Sequence, residues 1–123
     1  MEYLLSQEDL NGDPEYIVMV TEVAAPSDFY PESDCVYIPE RIIWRIIGIG
    51  KAYNLQFVKH VSPNMFDRWV YRGETLSWVN DELLFIIKLI NDPVLVKCVE
   101  NIMALFSKAI LQPNKFQVAI EGP

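Results

Sequence analysis

Residues 75–111 read TLSWVNDELLFIIKLINDPVLVKCVENIMALFSKAIL, and two amphipathic helices account for them. Leu76, Val79, Leu83, Ile86, Ile87 and Ile90 recur at the spacing of a single helix face, and Trp78, Phe85 and Leu89 widen the apolar stripe. Asn91-Asp92-Pro93 then stops the pattern. Proline pushes the residue before it out of helical geometry, yet suits the first turn of a new helix behind an Asp cap. In the second helix Leu95, Cys98, Val99, Ile102, Leu105, Phe106 and Ala109 face inward, while Lys97, Glu100, Asn101 and Lys108 form a solvated stripe. So short a link predicts an antiparallel helical hairpin.

Outward from this pair the periodicity changes. Glu15 to Val23 is short, rich in β-branched residues and bounded by turns, the pattern of a strand buried on both faces for most of its length. Before it, residues 1–14 read as an irregular or briefly helical segment running into the turn-forming Asn11-Gly12-Asp13-Pro14. Ala24 to Asp34 has two prolines and no period, and reads as a long loop. Cys35 to Ile38 adds a short edge strand before Pro39. Glu40 to Tyr53 places Ile42, Ile43, Ile46 and Ile47 on one helix face and Arg41, Arg45 and Gly48 on the other, whereas a strand would set Arg41, Ile43, Arg45 and Ile47 on one mixed face; the helix fits better, with an end at the glycines, and the strand stays open. Leu55 to Val61 alternates as a strand does, and Phe66 to Arg72 is expected to pair back on it across Ser62-Pro63-Asn64-Met65. Phe116, Val118 and Ile120 mark a closing strand. The expectation is a single α+β domain over residues 1–123, with a mainly antiparallel sheet of about four to five strands and helices packed on one face.

Familiar chemistry is hard to find. Gly48-Ile49-Gly50-Lys51 fails as a phosphate loop, because Arg45 stands where the first glycine belongs and Ala52 where a hydroxyl should bind magnesium. Asp9, Asn11 and Asp13 lack the glycine position and closing glutamate of a calcium loop. His60 is the single imidazole, and nothing local selects a nucleophile for it. Cys35 and Cys98 lie in no metal-binding spacing and are expected to be reduced thiols. No cofactor or metal is called for. No apolar run reaches the length of a membrane span, and Met1-Glu2-Tyr3-Leu4-Leu5 lacks the features of a signal peptide. A cytoplasmic location is the expectation.

Charge is the informative feature. Residues 1–40 hold ten acids and no Lys or Arg, whereas residues 41–123 hold seven acids and ten bases, giving −7 overall. An acidic surface repels nucleic acid and anionic membrane and steers a basic protein toward it. Within the acidic half, Asp28, Phe29, Tyr30, Glu32 and Asp34 share the loop, and Tyr37 and Glu40 follow it. Aromatics among charges on a long loop are the usual anchors of a protein interface. In size, acidity and lack of catalytic motifs the chain is similar to bacterial immunity proteins as a group. That resemblance, one of character that assigns no residues, implies a non-enzymatic inhibitor of a basic, nuclease-type toxin; the charge reading makes those seven residues the contact surface, with carboxylates covering the toxin's groove. Two other readings stay open. One is a ligand-binding or enzymatic domain with a pocket edged by Trp44, Trp69, Tyr71 or Trp78; the other is a subunit that associates, with itself or others, through the apolar helices.

Overall fold

The computed structural model describes residue 10, residues 12–64 and residues 66–123; the expected segment before Leu10, with Asn11 and Met65, lies outside the described residues. The helical pair forms as its periodicity requires, as α3 (Glu74–Leu89) and α4 (Pro93–Ile110). Leu76, Val79, Leu83 and Ile86 of the first and Leu95, Val99, Ile102, Phe106 and Ala109 of the second are fully buried. The stripe on α3 is narrower than expected, because Trp78, Phe85 and Leu89 remain exposed.

The other elements are β1 (Glu15–Glu22), β2 (Cys35–Pro39), α1 (Glu40–Ala52), α2 (Gln56–Lys59), β3 (Trp69–Tyr71) and β4 (Phe116–Glu121). All strand pairs are antiparallel, in the order β2-β1-β4-β3, so β2 is the expected edge strand. Alternation along the strands defines two faces. Tyr16, Val18, Val20, Ile38, Val118, Ile120, Trp69 and Tyr71 join the helices in one hydrophobic core. Ile17, Met19, Tyr37, Ala119 and Glu121 therefore point to the outer face.

Two expectations are corrected. Residues 55–61 are not a strand: Gln56–Lys59 is a short helix, and β3 pairs with β4, Val70 opposite Ala119, instead of folding back on them. The cause is a cap supplied from elsewhere in the chain. Glu82 of α3 accepts hydrogen bonds from the backbone N–H groups of Gln56 (2.6 Å) and Phe57 (2.9 Å), satisfying donors that a helix start leaves free. Phe57 then stacks on Tyr71 at 5.5 Å, and the Tyr71 hydroxyl donates to the Phe57 carbonyl at 2.6 Å while accepting from the Trp69 indole at 3.1 Å. The second correction is that α1 runs through its glycines. At Gly50 a β-carbon would fall 2.2 Å from Cγ2 of Val58, so glycine there lets α2 approach α1.

Arg residues tie α1 in place. Arg41 pairs with Asp13 through Nε at 2.7 Å and Nη2 at 3.0 Å. Arg45 Nη1 donates to Oδ2 of Asp92 at 2.6 Å, and Oδ1 of the same fully buried carboxylate accepts from Val94 N–H at 3.1 Å and Leu95 N–H at 3.4 Å. Asp92→Ala removes a cap and the partner of a half-buried guanidinium, and is expected to cost about 2–4 kcal/mol. Asp92→Asn keeps the cap acceptor and should cost about half as much. Urea unfolding curves of the two variants measure the difference.

Asp13 gives the fold a dependence on acid. Its hydrogen bonds from Arg41 lower its pKa below the ordinary 3.8. A carboxylate depressed in the folded state stabilises above its unfolded pKa, and that contribution is lost as pH falls through the folded value. Between neutral pH and about 4 the contribution is constant, so Asp13→Asn should lower Tm equally across that range and flatten the decline below it. Thermal melts from neutral to acid pH check this.

Candidate functional site

The acidic loop follows β1 and covers residues 23–34. Local turns shape its start: Ala25 N–H donates to the Glu22 carbonyl at 3.0 Å, and Phe29 N–H to the Pro26 carbonyl at 3.0 Å. At its end Asp34 takes a left-handed conformation (φ 59°), which Asp tolerates better than most residues. The Asp34 carbonyl accepts from Val20 N–H at 2.9 Å, delivering the chain into β2.

Between these ends one arginine holds the loop down. Arg68, just before β3, donates from Nη1 to the Phe29 carbonyl at 3.0 Å and from Nε to Glu121 Oε1 at 3.1 Å. Its guanidinium also lies 4.7 Å over the Tyr30 ring. The Tyr30 hydroxyl donates to the other oxygen of Glu121, and that bond, ahead of all other causes, raises the pKa of the phenol. The loop thus returns across the outer face of the sheet instead of standing away from it. Asp28, Phe29, Tyr30 and Glu32 stay exposed, with Phe29 and Tyr30 about half accessible.

The expected contact residues divide accordingly. Tyr37 is 62% exposed on β2 and sits opposite Ile17, whose other neighbour is Glu121, the acceptor for Tyr30. Tyr37 and Glu121, the acceptor of the Tyr30 hydroxyl, therefore share one row of the outer face, two strand spacings or about 10 Å apart along the backbone. Asp34 turns away and pairs with Lys108 of α4. Glu40 opens α1 in the helical layer, half-buried, and does not join the group. Arg68, Glu121 and Lys108 were not among the expected residues. Each acts across 38 or more positions of sequence, a separation at which no local pattern gives a signal.

Elsewhere Trp69 and Tyr71 are buried in the core. Trp44 lines an open cleft of about 820 Å³ between α1 and the end of α3, also bordered by Arg45, Gly48, Tyr53 and Leu89. His60 is not a strand residue: it ends α2, exposed, with its ring 5.4 Å from Tyr71. Both cysteines are free thiols, and burial, then the nearby Asp92, pushes Cys98 up. Among the described residues no three His, Cys, Asp or Glu side chains gather closely enough to hold a metal ion, and no helix is long and apolar enough to cross a membrane. The chain matches no protein-family model, no curated protein and no solved structure.

If Arg68 holds the loop, Arg68→Gln should free residues 26–32 while the sheet remains intact. Amide exchange there should rise at least tenfold, exchange in β1 should stay near wild type, and stability should fall by about 1–2 kcal/mol.

Proposed function

We propose that this protein is a small binding protein whose acidic loop occupies a basic partner, an inhibitor of the immunity-protein or antitoxin kind directed at a nuclease-type toxin. What supports the reading is the Arg68 clamp: it fixes the backbone of the loop and leaves Asp28 and Glu32 outside, with no ion pair among the described residues, on either side of exposed Phe29 and Tyr30. A loop ordered before binding loses less entropy on binding. Carboxylates at its tip would meet Lys and Arg side chains that otherwise hold phosphates, and an aromatic between them would fill a pocket.

Asp34 is occupied by Lys108 and Glu40 lies in the helical layer, so the proposed contact surface centres on Asp28, Phe29, Tyr30 and Glu32, flanked by Tyr37. Asp28→Lys with Glu32→Lys moves the net charge from −7 to −3 and touches no buried side chain. The pair should leave Tm unchanged and slow association with the partner about tenfold at low salt, an effect that added salt erases. Phe29→Ala should instead speed dissociation, by about tenfold or more. The partner is to be recovered by affinity capture, identified by mass spectrometry, purified, and both rate constants measured by surface plasmon resonance. A neutral or acidic partner, or a double-lysine variant that associates at the wild-type rate, would sink the acidic-loop mechanism.

A further inference from the structure

We propose that the open cleft between α1 and the end of α3 is a second docking site, a groove for an amphipathic helix with acidic flanks. It lies in the helical layer, apart from the acidic loop on the outer face of the sheet. Trp44, Tyr53 and Leu89 border it and are each 40–51% exposed, so the cleft is a trough that leaves a small molecule largely uncovered. Its apolar surface continues along α3. Phe85 meets Tyr53 edge-on at 5.1 Å and Leu89 follows it by one turn, while Trp78, on the same face two turns before Phe85, is set apart from it by Asp81 and Glu82. An exposed apolar strip of this kind is what the apolar face of a partner helix covers.

Gly48 supplies an independent argument. Glycine inside a helix is destabilising relative to alanine, and Gly50 has its reason in the contact with Val58. Gly48 has none among the described residues: a β-carbon there would meet nothing of theirs within 4 Å, and its backbone is ordinary helix. It lies at the border of the cleft beside Trp44, where the missing side chain leaves a notch for close approach.

Charge selects the occupant. Among the described residues the charged ones lining the cleft are Arg41 and Arg45, partly exposed, while the acids paired with them there, Asp13 and Asp92, lie deeper. Lys51 and Lys88 stand exposed at the C-terminal turns of α1 and α3 without an ion pair among the described residues. The nearest exposed acid on α3, Asp81, is one turn before Phe85, toward the far end of the stripe. A second copy fits less well. Antiparallel pairing that seated Trp44 in the notch of the other copy would set Arg41 against Lys51, like charge on like.

The test uses a synthetic amphipathic helix of Leu and Glu and its counterpart in which Lys replaces Glu, titrated by tryptophan fluorescence and calorimetry. The acidic peptide should bind at least tenfold tighter than the basic one. Lys51→Glu with Lys88→Glu should abolish that preference. Gly48→Leu should weaken the acidic peptide at least tenfold, while Gly48→Ala raises the Tm of the free protein by a few degrees. Equal binding of both peptides, or binding of neither, would overturn the proposal. So would a lower Tm for Gly48→Ala, which would give the glycine a role in the fold. A concentration-dependent dimer in sedimentation equilibrium that Gly48→Leu dissociates would assign the groove to a second copy instead.

Discussion

A single buried carboxylate, Asp92, fixes how the helices meet. It sits in the turn between α3 and α4, caps α4 through one oxygen and holds Arg45 of α1 through the other. A charge taken out of water is costly unless several donors compensate it, and three of the described residues do so here. Because those donors come from two helices, they reach the carboxylate together only when α1 and α4 keep this arrangement. The ion pair therefore acts on register more than on net stability: an apolar pair could match its energy but would not define the same orientation. The cleft beside Arg45 inherits its shape from that constraint.

The same logic separates what the sequence declares from what it conceals. The helical pair was legible because its signals are local: the apolar period, and an Asp-Pro junction that both stops one helix and starts the next. α1 was legible from the opposition of its isoleucines to Arg41 and Arg45, although β-branched residues and glycines argue against a helix. Residues 55–61 were not legible. Phe57, Val58 and Val61 favour a strand, and what overrides them is Glu82, 25 or 26 positions away, which closes the N-terminus of α2. Tertiary capping leaves no trace in a window of neighbouring residues.

The site was half visible for a related reason. Composition marked the loop, since an acidic, aromatic, proline-containing segment has no use in a core. It could not say that the loop is strapped to the sheet. That depends on Arg68 reaching the Phe29 carbonyl and the Tyr30 ring, and on Glu121 near the far end of the chain. Tyr37, read as a companion of the loop only because it follows closely, does share a face with Tyr30; Glu40, read the same way, does not.

Charge asymmetry also has an explanation within the fold. Of the five ion pairs among the described residues, three join an acid of the first forty positions to a base beyond them: Asp13 to Arg41, Glu22 to Lys115 and Asp34 to Lys108. The acidic segment is β1, its loop and β2, and it is laid against the basic remainder of the same chain. Part of the segregation therefore serves intramolecular docking, although the exposed pairs, Glu22 with Lys115 above all, contribute little energy. Among the described acids of the first forty positions, Glu15, Asp28, Glu32 and Glu40 are left without an ion pair. On the loop, Asp34 is neutralised by α4, whereas Asp28 and Glu32 are left facing solvent around two aromatics. On the loop the two carboxylates ride on a backbone held by Arg68, which sets the direction of their field more than its strength, and direction is what would orient the basic partner proposed above.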